Sequence, residues 1–329
     1  MAWWETLRGA EPWYSLWLAV FGAIAGSFAS AAVWRVPREG ESLVRPLRSR
    51  CTSCGTTIAW YDNLPVLSWI LLRGRCRACG VRYGAGYLVH ELVLAGLFLW
   101  AGHAWPGRAG LLALGLACCA LTALWIAAAI DWRHFILPDG ITLGGIPAGF
   151  LASCLVPQFQ LWPGDPFRLP WGTAWAGLDP SLEPVPLAAL SSAVGAAASW
   201  GFLFGFRLLF SYILRQEALG RGDVKYLAAV GAWVGLEGSA WTLLVGVMAG
   251  ALLGIGNILR MILLVRARRR RRGRVRSWKE DVHVGWQLGR VIPFGPPLVL
   301  GTILVLLEPS KTASFFTQTW PDLLRNLLA

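Results

Sequence analysis

Residues 215–235 read RQEALGRGDVKYLAAVGAWVG. A polar run ends at Gly220-Arg221-Gly222-Asp223, and from there the sequence is apolar. Such a boundary is where a helix enters a membrane, so Asp223 is expected in the first turn of a span. A carboxylate at that depth is costly and is a functional candidate by default. The two glycines remove side chains around it and allow close approach by a neighbouring helix or a substrate. G-x-G-D alone is a short pattern. It gains weight from residues 131–139, DWRHFILPD, which put Asp131 and Asp139 at another helix boundary.

Composition fixes the solvent. Hydrophobic residues make up 56% of the 329-residue chain, charged residues only 15%, and the mean hydropathy is +0.52. A soluble domain carries about 25% charged residues. The expected fold is therefore all-α, a polytopic membrane helical bundle. Apolar runs at 13–34, 87–105, 111–130, 141–156, 187–214, from Asp223 to a turn at 235–238, 240–265 and 291–307 predict about eight spans at roughly 20 residues each. Residues 1–12 contain Glu5 and Glu11 and do not read as a cleaved signal peptide. The loop 157–186 is rich in Pro, Trp and Gly, and its aromatics suit a membrane–water interface. The tail 308–329 reads as a short interfacial helix.

The formal charge is +12, and its placement gives the orientation. With the N-terminus outside, the inside segments hold Arg35, Arg38, the arginines between 45 and 82, Arg133, Arg215, Arg221, Lys225 and the basic cluster 266–290. The outside segments hold Arg8, Arg108, Arg168, Lys311 and Arg325. This asymmetry puts Asp131, Asp139, Asp223 and the paired cysteines at the cytoplasmic face. The run Arg268–Arg272 reads as a topology anchor facing anionic membrane lipid. Nucleic acid is not an expected partner, because no recognition motif accompanies the charge.

Between the first two spans, residues 37–84 carry Cys51-x2-Cys54 and Cys76-x2-Cys79. Two such pairs can close a tetrahedral four-thiolate site around zinc. The cytosol keeps thiols reduced, which disfavours disulfides. Four thiolates leave no position open for water, so the zinc is expected to be structural, folding a small cytoplasmic loop domain with too little apolar content to fold alone. Cys118, Cys119 and Cys154 fall in spans and read as small apolar filler.

Of the 18 acidic residues, Glu91, Asp131, Asp139, Asp223 and Glu237 lie in or beside a span. Asp139, within Pro138-Asp139-Gly140, reads as a helix N-cap. Glu91 reads as a strut to an arginine or a backbone donor. Asp131 resists a capping explanation, because an acid closing a helix opposes its dipole. Two carboxylates brought together from separate helices share a proton, one activating water and the other donating to the carbonyl or leaving amine. That is aspartyl-type peptide hydrolysis. His134 lies near Asp131, but no serine or cysteine completes a triad with it.

The chain also contains GSFASAAVWRVPREGES at 26–42, WYDNLPVLSWILLRGRC at 60–76 between the cysteine pairs, YLVHELVLAG at 87–96, DWRHFILPDGIT at 131–142, GRGDVKYLAAVGAWVG at 220–235 and IPFGPPLVLG at 292–301. In this order they resemble the bacterial type IV prepilin peptidases, or leader peptidases, an integral-membrane aspartyl class with a G-x-G-D motif. The resemblance covers about 26–301. It implies that Asp131 and Asp223 are the catalytic aspartates; Asp139 matches a position not generally assigned as catalytic. It further implies cleavage of the basic leader of prepilins or pseudopilins at the cytoplasmic face of a bacterial inner membrane. Many members then methylate the new N-terminus with S-adenosylmethionine, for which 37–84 is a candidate site by resemblance. The implied organisation is an N-terminal unit at 13–105 holding the zinc loop, a peptidase unit at 109–307 and a tail at 308–329. The long loop 157–186 and the basic segment 268–287 depart from the family pattern, away from the aspartates. The competing class is a non-enzymatic membrane assembly or transport protein, with the zinc loop as a docking module and the acids carrying ions or protons. It predicts paired broken helices in two halves, which the sequence does not show.

Overall fold

The computed structural model describes residues 13–38, 49–104, 110–160, 184–217, 219–271 and 278–328. Most of the Trp-rich loop (161–183), part of the basic loop (272–277), Arg45, Arg48 and residues 1–12 lie outside them. Among the described residues there are no strands, only helices α1 Trp13–Arg35, α2 Leu67–Leu72, α3 Gly86–Ala104, α4 Gly110–His134, α5 Asp139–Leu155, α6 Pro184–Leu214, α7 Arg221–Arg271, α8 Trp278–Gly289, α9 Gly295–Leu307, α10 Pro309–Ser314 and α11 Trp320–Leu328, with short 3-10 turns at Trp60–Asn63 and Pro157–Phe159 and a π-helical turn at Phe315–Thr319.

Lipid tails are as apolar as leucine, so close backbone contact through small residues does much of the work of holding such helices together. Gly22 and Gly26 let α1 lie against α3: a Cβ on Gly22 would stand 2.6 Å from Leu94 O, and Gly26 meets the backbone of His90 and Glu91. Gly285 and Gly289 do the same for α8 against Ile262 and Ile258 of α7. The core runs through α4, whose Ala113, Ala117, Leu121 and Ala127 are fully buried, to Leu298 and Val305 of α9.

Within α7 the helix breaks at Gly235, with φ 72° and ψ −177°, a conformation open essentially to glycine alone. Tyr226 Oη bonds Thr302 Oγ1 at 2.7 Å, and a Cβ on Gly301 would lie 2.5 Å from Thr242 O. A straight helix would hold Tyr226 and Thr242 about 24 Å apart. The chain therefore doubles back at Gly235, inside the expected turn. The break frees Ala232 O, which accepts from Gln160 Nε2 (2.8 Å), Ser192 Oγ (2.7 Å) and Ser153 Oγ (3.1 Å). In hydrocarbon a freed carbonyl needs such partners.

Five of the helices are long and apolar enough to cross a membrane, or six if Gly295–Leu307 and Pro309–Leu323, bent by 114°, form one span. The protein is a multi-pass membrane protein, but eight spans are not borne out by this measure. Two of the expected eight, α5 with 17 residues and α9 with 13, are short. Two more are the arms of α7.

Candidate active site and metal centre

The cysteine loop is built from two nearly identical turns. In the first, Cys51 O accepts Gly55 N–H and Cys51 N–H donates to Thr56 O; in the second, Cys76 O accepts Gly80 N–H and Cys76 N–H donates to Val81 O, all at 2.9 Å. Gly55 (φ 72°) and Gly80 (φ 70°) supply the left-handed residue that turns the backbone under each pair. A bridge closes each turn, Arg50 to Thr57 and Arg75 to Arg82. The four Sγ atoms lie within 4.8 Å of one another, and none is in a disulfide. Cys51 Sγ and Cys79 Sγ are 3.8 Å apart, about the edge of a tetrahedron with metal–sulfur bonds of about 2.3 Å. The donor set fits a single thiolate-bound metal ion. Arg77 ties the second turn to the 3-10 turn through Asp62, at 2.6 and 2.8 Å, and holds the Asp62 carboxyl below its ordinary range.

Glu91 is the expected strut, with a backbone donor and, besides it, the side chain of Ser27. Its Oε2 accepts Val66 N–H at 2.8 Å from within α3. Val66 has φ 61°, a strained value for a β-branched residue. Glu91 therefore fastens the loop to the membrane helices at a point the loop would not adopt alone. Between the loop and α1 and α3 lies a cavity of about 840 Å³ whose lining includes Ser27, Arg35, Tyr61, Tyr87 and Glu91.

Asp131 is buried three residues before the end of α4 and accepts Gly295 N–H on Oδ2 at 2.9 Å. Gly295 opens α9, whose first N–H groups have no partner of their own. An acid that is badly placed for its own helix dipole is thus well placed for another's N-terminus. A Cβ on Gly295 would stand 2.5 Å from that oxygen, so only glycine admits the carboxylate here.

Asp223 lies in the first turn of α7, where it accepts the N–H of Gly220, the residue before the helix. This is the return bond of a capping box. Gly222 faces Leu137 of the α4–α5 linker, and a Cβ on it would stand 3.2 Å from Leu137 Cβ. Asp131 is within electrostatic range of Asp223, and with Gly222 packed on Leu137 the two carboxylates of α4 and α7 lie at the same end of the bundle. The cysteine loop is at the same end, because Arg133 of α4 reaches Gly86 at the start of α3.

Asp139 does not cap α5. Pro138 is the N-cap residue, and no side chain caps the helix there. The Asp139 carboxylate instead pairs with Lys225 Nζ at 2.8 Å. His134 is exposed, Cys118 is buried, Cys154 is half-buried and Cys119 is exposed. Arg207 escapes any reading that counts only loop arginines. It sits within the apolar GFLFGFRLLF of α6, and a charge inside a span is itself the signal that marks it.

Residues 20–105 match the Bacterial Peptidase A24 N-terminal domain, and residues 118–255 match the Type IV leader peptidase family. A prepilin leader peptidase/N-methyltransferase of Klebsiella pneumoniae is 36% identical over 69% of this chain and 88% of its own length. One of Pseudomonas putida is 32% identical over 92% and 93%. A type 4 prepilin-like proteins leader peptide-processing enzyme of an Escherichia coli O78:H11 strain is 34% identical over 66% and 75%. No solved structure matches. With its apolar helices, four-cysteine loop and paired acids, the chain belongs to the type IV leader peptidase family.

Proposed function

We propose that the protein is a membrane aspartyl endopeptidase that removes the basic leader from type IV prepilins or pseudopilins, with Asp131 and Asp223 as the catalytic pair. The observation that supports this reading is the placement of two carboxylates from separate helices at one end of the bundle, each accepting a backbone N–H and each within electrostatic range of the other. Away from bulk water two such charges share one proton. The ionised member takes a proton from the attacking water while the protonated member gives its proton to the carbonyl oxygen. As the tetrahedral intermediate collapses, the first member passes the proton from water to the leaving amine and the second recovers one from the gem-diol hydroxyl, which restores the shared proton. A prepilin with a cationic leader and an apolar helix presents its junction at the membrane interface, the depth expected of residues at helix ends. The arginine asymmetry supports the cytoplasmic face of a bacterial inner membrane.

The four-cysteine cluster in this reading holds one zinc ion through Cys51, Cys54, Cys76 and Cys79, with no position left for water and no share in the cleavage. Membrane lipid is the other expected partner. The units are 13–105, carrying the metal loop, and 109–307, carrying the aspartates, followed by the tail 308–329.

A second activity, methylation of the new N-terminus, is favoured by the cavity of about 840 Å³ beside the cysteine loop, within the usual range for small-molecule sites. S-adenosylmethionine would supply an activated methyl group there. Its cationic sulfonium suits the rings of Tyr61 and Tyr87 and the carboxylate of Glu91.

The test is cleavage of a full-length prepilin by purified protein. Asp131→Asn and Asp223→Asn should each lose nearly all activity, and the double variant should be little worse than either. Substantial cleavage by a correctly inserted Asp223→Asn protein would falsify the pair.

A further inference from the structure

Asp223 Oδ2 packs against Gly220, 3.0 Å from where a Cβ on that residue would stand, and the carboxylate accepts the N–H of the peptide group linking Leu219 to Gly220. The other end of that peptide, Leu219 O, is also engaged. It accepts Arg207 Nε at 3.1 Å, across from α6, while Arg207 Nη2 pairs with Glu217 Oε1 at 3.1 Å. The guanidinium is largely covered, with its side chain 13% exposed against 75% for Glu217. A charged group is expensive in an apolar helix, and this one is directed at Leu219, just before α7, rather than at solvent. One planar amide thus has a cation on its oxygen and a candidate catalytic carboxylate on its nitrogen. Hydrogen bonds in such chains polarise one another, and a cation on the carbonyl makes the N–H a stronger donor.

We infer that Arg207 is a positioning residue for the peptidase reaction, fixing and polarising the Leu219–Gly220 peptide so that its N–H holds the Asp223 carboxylate in place. The inference rests on Asp223 being catalytic, as proposed above. Arg207 touches no reacting atom. Its planar fork reaches Leu219 O and Glu217 together, so it also sets the path of the turn between α6 and α7. Lysine can offer one donor to Leu219 O but cannot make both bonds in a fixed plane.

The experiment measures prepilin cleavage by the full-length protein in lipid bilayers, for Arg207→Gln, Arg207→Lys and Asp223→Asn, with thermal unfolding of each. In Arg207→Gln, kcat should fall by about tenfold or more, as expected for losing a charge-assisted bond that holds a catalytic group, while KM stays within about twofold. Arg207→Lys should recover part of kcat at the same KM. Three results would overturn the inference: unchanged kcat in Arg207→Gln; a raised KM with kcat held, which would make Arg207 a substrate contact; or losses in both variants that only track the loss of folded protein. Each of these leaves the catalytic pair standing if Asp223→Asn is inactive. An active Asp223→Asn would remove the pair itself, whatever Arg207 does.

Discussion

In the cysteine loop each turn is closed by hydrogen bonds between near neighbours, Gly55 to Cys51 and Gly80 to Cys76. At the aspartate end, Asp131 is held by an amide 164 residues along the chain. The first site is written twice in short stretches of sequence, and a metal ion held by its four thiolates would join the halves. The second has one local bond, Gly220 to Asp223, and otherwise exists only when α4, α7 and α9 have assembled. Local coding combined with weak burial makes a site that depends on its ligand. Distributed coding, with Asp131 buried and Asp223 half-buried, makes one that depends on packing. The two should therefore fail separately and for different reasons.

Metal removal should give the largest structural effect. Metal binding in small cysteine sites contributes on the order of 10 kcal/mol of folding free energy, and the residues around the first cysteine pair, Thr52, Ser53 and Gly55, have nothing apolar to bury. Elemental analysis should give about one zinc per chain for a closed four-thiolate site. Chelation, or Cys51→Ser, should make residues 49–83 the first target of a protease while prepilin cleavage falls far less. Four thiols paired in disulfides with no metal would end this account of the loop.

Next comes Gly295→Ala, which should strike the other site and leave the zinc untouched. The added methyl would stand 2.5 Å from Asp131 Oδ2, so the carboxylate or the start of α9 must move. A displacement near 1 Å costs about a hundredfold in a positioned reaction, and the loss should appear in kcat. Wild-type kcat in Gly295→Ala would mean that the Gly295 amide does not set the position of Asp131.

The same contrast explains what could be read from the chain alone. The cysteine pairs, the helix positions and the reversal near Gly235 are legible because each is encoded within a few residues, as metal-ligand spacing, an apolar run, or a glycine where a helix must stop. Glu91 is legible as a strut, because a buried carboxylate must find a donor, although nothing local names Val66 as that donor. The partner of Asp131 is illegible for the opposite reason: the first amide of α9 belongs to a segment far along the chain. Arg207 carried the mark of a charge in an apolar run, and its target needed the turn before α7 to be folded. The count of eight spans is not confirmed, because helices as short as α5 and α9 fall below the length that crosses a bilayer and an apolar run in the sequence does not show how long its helix will be.

Gly235→Ala should be milder than either change above. It forces a side chain into a conformation that costs about 1–3 kcal/mol, and a Cβ there would stand 2.8 Å from Gln160 Oε1. The melting temperature should fall, with the metal content unchanged and prepilin cleavage by the folded fraction nearly normal. An unchanged melting temperature would show that the strain at the reversal is absorbed elsewhere.

Asp139→Asn should do least, although it removes a carboxylate close to the candidate pair in sequence. Asp139 is the first residue of α5, after an N-cap that is Pro138, so no capping bond is lost. What is lost is the pair with Lys225 at 2.8 Å, whose side chains are 62% and 33% exposed. An exposed pair of this kind is worth about 0–1 kcal/mol, and a negative charge in a first helical turn adds about 0.3–1 kcal/mol at low salt. Both are screened as salt rises. Stability should therefore drop by no more than about 2 kcal/mol, with the difference shrinking in high salt, and most prepilin cleavage should remain. Lys225 stands two residues beyond Asp223, so the clasp between α5 and α7 steadies the backbone near Asp223 without touching its carboxylate. If Asp139→Asn lost cleavage as completely as Asp223→Asn while staying folded and metal-bound, a third carboxylate would belong to the chemistry, and hydrolysis by one pair sharing one proton would be the wrong description of this end of the bundle.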